Sequence, residues 1–407
     1  MDHAIVVAAG TGIDGEKLSL HGDAIIGGIP QIKRLVITAE RAGIKRFTIL
    51  VEKDGSPLKE ILNKKNGIKS NILWHTLGSP IKSETNPSLI LQSNLVITPS
   101  GLSNLMDSKV SEDRVAILVD NQKDAWVKIS GNNTIDDIFS SGGKAVGAFV
   151  AHVSLLEKSI LNSMHLKSWL EELVGRGNVK SVNFQDSYWM HLSSDNKSAK
   201  RAESLLFSHV SKSSSGWISK NINSKMSIPV SRLLIHTSLT PNMISVAIGI
   251  IGILSGIFYM QGYPILGGVF LELSTIFDRC DGEVARIKLM ESRRGQWIDT
   301  IFDQLSFLSF VIGVPIGLYK LTKSNLAITL GSINLGIFTF FVIWSFYFLI
   351  KYANSGSMVA YSKTVDTLVP IEGRTFIHKL IIKLRPMMKR EFFSLVFLIA
   401  AILGGYT

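Results

Sequence analysis

Residues 277–303 read FDRCDGEVARIKLMESRRGQWIDTIFD, and they set Asp278, Asp281, Asp299 and Asp303 among long apolar runs. Asp278 and Asp281 are three residues apart, so on a helix they share a face. Gly282 and Ala285 lie on or beside that face. Gly295, Asp299 and Asp303 repeat at a spacing of four, again one face of a helix. The short stretch Lys288–Arg294 predicts a turn that folds the two helices into a hairpin. Four carboxylates then converge at one depth. Ionisable residues inside apolar spans are costly and mark function by default.

The surroundings support a membrane reading. Apolar runs cover 241–260, 263–287, 296–319, 326–350 and 392–407. About 20 residues cross a bilayer core, so the first four are long enough and the last, about 16 residues, is short. Lys288, Arg293 and Arg294 follow the second run. Lys351, Lys363, Arg374, Lys379, Lys383, Arg385, Lys389 and Arg390 follow the fourth, against Lys320 and Lys323 on the other side. This bias predicts a cytoplasmic 288–294 loop. The net charge of +11 gathers around the apolar runs, which favours a lipid surface or a phosphorylated substrate over nucleic acid. Neither zinc-finger spacing nor an RNA-binding aromatic motif is present.

Ahead of Pro241 the pattern changes. Ala4–Ala9, Phe47–Val51 and Val115–Val119 read as strands, and Gln31–Ala42 as a helix. That alternation predicts a parallel α/β sheet. The N-terminus MDHAIVVAAG has no basic region or long apolar core and is no signal peptide, so the front half is expected in the cytoplasm. The single cysteine, Cys280, excludes an internal disulfide and reads as a small packed residue. The expected division is 1–210, an α/β domain; 211–240, a linker and juxtamembrane helix; and 241–407, an all-α polytopic membrane bundle. Ser211–Gly216 reads as linker. Trp217–His236 reads either as an amphipathic helix in the membrane interface or as a surface helix of the soluble domain.

Clustered carboxylates repel one another and need cations. Dense oxygen ligands suit Mg²⁺, Mn²⁺ or Ca²⁺, and such ions commonly hold a diphosphate. Arg286 can add a bidentate phosphate contact. A purely structural set of ion pairs fits poorly, because four acids against one arginine is an unbalanced scheme.

The pattern Asp278-x2-Asp281-Gly282-x2-Ala285-Arg286-x8-Gly295-x3-Asp299-x3-Asp303 resembles the full signature of the CDP-alcohol phosphotransferases. Ser231-Arg232 and Thr240-Pro241-Asn242 resemble that family's entry into its first span. The resemblance covers roughly 217–407. It implies a membrane enzyme with Asp278, Asp281, Asp299 and Asp303 as ligands for one or two Mg²⁺ or Mn²⁺ ions. Asp303 would also be the general base. Gly282, Ala285, Arg286, Ser292, Gly295 and Asn242 would bind the CDP portion. The donor would be CDP-diacylglycerol or a soluble CDP-alcohol, the acceptor an alcohol such as inositol or inositol phosphate, and CMP the leaving group. Phospholipid synthesis is the default outcome. The family implies a homodimer and usually six membrane helices, one more than the five runs counted here.

Residues 4–51 resemble a sugar-nucleotidyltransferase, a Rossmann-like fold, in Ala8-Ala9-Gly10, Gly27-Gly28-Ile29-Pro30 and Ala42-Gly43-Ile44. Val146-Gly147-Ala148-Phe149 and Tyr188-Trp189 resemble its later landmarks. The resemblance implies an arginine and a lysine against the triphosphate, and two metal-binding aspartates. This chain has Asp14, His21, Pro99-Ser100-Gly101 and His191 there, with Lys17 out of register. An acid facing a triphosphate is repulsive, so the front half reads as a fold that has lost catalysis. Asp120 reads as a surface loop residue. A bifunctional enzyme is the alternative: an inositol-1-phosphate cytidylyltransferase joined to a di-myo-inositol phosphate phosphate synthase. A cation transporter would also use intramembrane acids, but leaves Gly282, Ala285, Arg286 and Gly295 without a role.

Overall fold

A computed structural model describes residues 1–52, 56–63, 67–79, 81, 87–120, 128–129, 135–137, 144–161, 164–185, 188–195, 197–212, 222–368 and 390–404. The chain divides into two compact units, Met1–His209 and Val210–Thr407. Part of the expected linker, with Trp217 and Ile218, lies outside the described residues, as do Arg374, Lys379, Lys383, Arg385 and Lys389.

The front unit is built on a seven-stranded sheet. Its strands are β1 (His3–Ala8), β2 (Arg46–Val51), β3 (Asn71–Thr76), β4 (Ser88–Gln92), β5 (Val115–Asp120), β6 (Lys144–Ala151) and β7 (Val179–Asn183). Their spatial order is β7-β5-β6-β4-β1-β2-β3. The central strands are apolar on both faces because helices cover both, so every residue of β1, β4 and β5 is buried. The parallel expectation needs correction: β6 runs antiparallel to both β4 and β5, making the sheet mixed. A reversed strand of the same apolar composition leaves no trace in the sequence pattern. The register of β6 shifts between Ala145 and Phe149. Gly147 sits there with φ +81°, and a Cβ on it would lie 1.9 Å from Nε2 of Gln92.

The rear unit is helical: α1 (Ser224–Leu234), α2 (Pro241–Gln261), α3 (Pro264–Ile287), α4 (Arg293–Thr322), α5 (Asn325–Phe348), α6 (Met358–Leu368) and α7 (Arg390–Ile402). Thr240 caps α2 with Pro241 at its first position, and Gly262, at φ +88°, closes it. Ser292 caps α4 by accepting a bond from the Gly295 amide at 3.0 Å. The close packing of α2 on α4 depends on glycine. A Cβ on Gly256 would lie 2.3 Å from the backbone of Ser309, and one on Gly313 2.1 Å from the Gly256 carbonyl oxygen. Only bare backbone allows this approach. Ser306 and Ser309 seal it by donating to the carbonyls of Gly249 and Ile253 at 3.1 and 2.9 Å.

Three described helices are long and apolar enough to cross a membrane: 241–261, 293–322 and 325–353. The expected runs 263–287 and 392–407 are not among them. Helix α3 has 24 residues but carries Glu272, Asp278, Arg279, Asp281, Glu283 and Arg286, so length alone does not qualify it. Helix α7 has 13 residues. The segment expected as a basic loop after 350 contains α6.

Candidate active site

The α3–α4 hairpin turns between Ile287 and Arg293, where Leu289 takes a positive φ of 54°. It brings carboxylate oxygens of Asp278, Asp299 and Asp303 within 4.8 Å of one another. Asp281 lies in hydrogen-bonding reach of Asp299. Its carboxylate accepts from the Ser245 hydroxyl on α2 and from the Gly282 amide at 2.5 Å. The four acids therefore form one group, with an all-oxygen donor set that fits a hard divalent cation.

Beside them is a cavity of about 230 Å³ whose lining includes Asn242, Ser245, Asp281, Gly282, Ala285, Arg286, Ser292, Gly295, Asp299 and Ser357. The six residues expected to bind the CDP portion thus surround one space, and two of the acids form part of its wall. Arg286 is exposed, and its Nε donates to the Gly282 carbonyl at 3.1 Å, leaving the guanidinium Nη groups for a ligand. Gly295 leaves room for two of the cavity's polar side chains. A Cβ there would lie 2.9 Å from Oδ1 of Asn242 and 3.1 Å from Oγ of Ser292.

Sequence reasoning missed Arg390. It opens α7, donates to Asp303, stands 3.6 Å from Asp278 and gives its other Nη to Ser274 at 2.6 Å. It supplies counter-charge that the expected one-arginine scheme lacked. The segment after α5 is a second omission. Arg293 donates to Asn354 at 2.6 Å, Thr300 to the Gly356 carbonyl at 2.6 Å, and Ser355 to Gln296 at 3.0 Å. These bonds carry Ser357 to the cavity.

In the front unit the glycine loop after β1 is bonded within itself and to its neighbours. The amides of Thr11, Gly12, Ile13, Gly15 and Leu18 donate to Met164 O, Glu16 O, Gln92 Oε1, Gly12 O and Gly10 O at 2.6 to 3.2 Å. These are the donors that would cradle phosphates. Asp14 accepts from Asn94 at 2.8 Å and lies 3.5 Å from His191. The two residues that replace an expected arginine and an expected aspartate face each other. Glu16 accepts from the Ser194 hydroxyl and amide, and these bonds hold its carboxyl below the ordinary range. His21 is buried 3.6 Å from Glu16. Lys17 stands 3.9 Å from Glu52. Pro99-Ser100-Gly101 opens the helix Pro99–Met106. The reading of Asp120 is corrected: it is buried at the end of β5 and accepts from Nε1 of Trp189 at 2.7 Å.

The sequence profile of the CDP-alcohol phosphatidyltransferases matches residues 238–404. The chain carries a CDP-alcohol phosphatidyltransferase domain. It is a transferase. A protein of Thermococcus kodakarensis named "Bifunctional IPC transferase and DIPP synthase" is 26% identical over 331 residues, covering 76% of this chain and 74% of that one. A protein of the same name from Aquifex aeolicus is 21% identical over 339 residues, covering 76% of each. Both matches exceed what the phosphatidyltransferase domain alone can supply, so they reach into the front unit. Among solved structures, the inositol-1-phosphate CTP transferase from T. maritima matches 50% of this chain and 96% of its own, with 19% identity and a TM-score of 0.40.

Proposed function

We propose that the protein is an integral-membrane CDP-alcohol phosphotransferase. It transfers a substituted phosphoryl group, by default phosphatidyl, from a CDP-linked donor to an alcohol and releases CMP. The observation that carries this reading is the shared wall: Asp281 and Asp299 belong both to the acid group and to the cavity lined by Asn242, Gly282, Ala285 and Arg286. A diphosphate in that cavity would have both Arg286 and two of the acids in its lining.

Asp278, Asp281, Asp299 and Asp303 would hold Mg²⁺ or Mn²⁺, as one ion or two. Such an ion supplies neutralisation of the diphosphate and polarisation of its P–O bond. Gly282 and Ala285 leave room for the diphosphate, and Arg286 pairs with its oxygens. Asp303 takes the proton of the acceptor hydroxyl. The acceptor oxygen bonds to the phosphorus distal to cytidine, the bond from that phosphorus to the bridging oxygen breaks, and CMP leaves with the electron pair. Arg390 holds the Asp303 carboxylate in position. The front unit and the hairpin turn are assigned to the cytoplasmic side by the Lys and Arg bias, and a homodimer follows the family resemblance.

The test is CMP release by purified protein in lipid, with CDP-diacylglycerol, Mg²⁺ or Mn²⁺, and inositol, inositol phosphate, glycerol phosphate or serine as acceptor. Turnover with one acceptor that a chelator abolishes and Mn²⁺ restores supports the reading. Silence with every acceptor, and no protection of the folded protein by CMP, would favour cation transport instead.

A second reading is bifunctional: the front unit makes a CDP-alcohol that the membrane domain consumes. The names of the two relatives favour it. The closed glycine loop opposes it, because its amides are already bonded and Asp14 stands among them. Turnover from CTP and inositol phosphate, without any added CDP-linked donor, would establish the bifunctional reading.

A further inference from the structure

Glu283 is a fully buried carboxylate with no part in the reaction described above. It lies on α3, two residues beyond Asp281 and three before Arg286. At about 100° per residue it points away from the Asp278, Asp281 and Ala285 face. Its Oε1 accepts from the Ser227 hydroxyl at 2.9 Å, and its Oε2 from the Ser231 hydroxyl at 2.7 Å. Arg279, one turn earlier on α3, stands 3.4 Å from Oε1. Ser227 and Ser231 are one turn apart on α1, and both are 0% exposed. Cys280, on the same side of α3, points its thiol at the Ser227 carbonyl at 3.7 Å. At the end of α3, Lys288 donates to the carbonyls of Thr237 and Leu239, at 2.7 and 3.3 Å, in the segment that joins α1 to α2.

Helix α1 is inside out relative to an ordinary surface helix. Ser224, Ser227 and Ser231 are buried, while Ile222, just ahead of the helix, Met226 and Leu233 are exposed. Two hydroxyl-to-carboxylate bonds tie its serine face to α3, and bonds to a buried charge are stronger than neutral ones. Losing the carboxylate takes away the acceptor of two buried hydroxyls, and losing the hydroxyls leaves a buried charge short of donors.

We infer that Glu283 is a positioning residue for the phosphotransfer. It bolts the serine face of α1 to the back of α3, and so fixes the rotation of α3 about its axis. That rotation decides whether Asp281, Gly282 and Arg286 face the cavity. The bolt also connects the exposed apolar edge of α1, suited to a lipid surface, to the helix that carries the acids. The inference rests on the proposed reaction for its catalytic part and on geometry alone for the bolt.

The sole cysteine makes the bolt measurable without turnover. Cys280 lies under α1 and is 1% exposed, so its rate of maleimide labelling in the intact, lipid-reconstituted protein reports how firmly α1 is seated. Glu283→Ala is expected to raise that rate about tenfold and lower kcat/KM for CMP release about tenfold, the scale expected for lost buried bonds and a displaced reacting group. Glu283→Gln keeps one acceptor and can donate its amide to the other hydroxyl, so it should recover most of both. If Glu283→Ala does not fold, Ser227→Ala carries the test, with about a threefold change in each. Unchanged labelling in a folded variant overturns the bolt. Faster labelling with unchanged turnover overturns the positioning role. If the wild type releases no CMP, the proposed reaction fails, and the labelling results still decide on the bolt.

Discussion

Replacing Gly256 by alanine adds one methyl group far from the acids, yet it should cost most of the activity. The new Cβ would lie 2.3 Å from the carbonyl carbon and oxygen of Ser309, and nothing flexible stands between them. Ordinary contact begins near 3.4 Å, so α2 and α4 must part by about 1 Å. Helix α2 carries Asn242 and Ser245, and α4 carries Asp299 and Asp303, so the cavity and the acid group widen with the gap. A misplacement of about 1 Å can cost on the order of 100-fold in rate. Stability should change less. Overpacking costs about 1–3 kcal/mol, and alanine gives back up to about 1 kcal/mol over glycine inside a helix. Gly336→Ala on α5 is the control, because a Cβ there meets nothing within 4 Å. CMP release and thermal unfolding would be measured on both. Gly256→Ala should lose about 100-fold in kcat/KM while staying folded, and Gly336→Ala should match the wild type. Wild-type activity in a folded Gly256→Ala protein would refute the claim that this contact sets the geometry of the site.

Three further outcomes are expected. Asp303→Asn should lower kcat by roughly 10²–10⁴-fold, the usual contribution of a general base, with Arg390 still facing Asp278 to hold the local fold; CMP release under single-turnover conditions measures it. Arg286→Lys should raise the donor KM about tenfold, because an ammonium cannot reproduce a bidentate phosphate contact, and a donor titration checks this. Glu16 is held below its ordinary pKa by Ser194. Its stabilising effect on the front unit is therefore present above the unfolded pKa and lost as pH falls through the folded one. Ser194→Ala should move acid unfolding to higher pH, followed by intrinsic tryptophan fluorescence, and an unchanged midpoint would remove Glu16 from the account.

The hairpin was legible because its information is local. Spacings of three and four on two neighbouring helices are enough to bring Asp278, Asp299 and Asp303 together and to set Gly282, Ala285 and Arg286 around one cavity. Arg390 was not legible. It lies 87 residues from Asp303 and follows a basic stretch, where an arginine at the start of an apolar run reads as a topological charge. The serines of α1 were equally silent, since a polar helix face normally points to solvent and only the buried Glu283 inverts that rule. Asp120 misled because a strand-terminal acid and a loop acid look alike until Trp189 is placed against it. The reversal of β6 escaped for the same reason as most strand directions: side-chain alternation carries no arrow.

The charge load on α3 also bears on how the protein enters a bilayer. An aspartate or arginine at mid-membrane costs about 2.5–3.5 kcal/mol during insertion, and α3 carries Glu272, Asp278, Arg279, Asp281, Glu283 and Arg286. Alone it would not partition from the aqueous side. Its neighbour α2 has a mean hydropathy of 2.2, and only Gly262 and Tyr263 separate the two helices. The expectation is that the two go in as one pair, with the apolar α2 drawing in its polar partner. Lengthening the Gly262-Tyr263 link should then leave α3 stranded at the surface, which protease mapping of the 288–292 turn would detect.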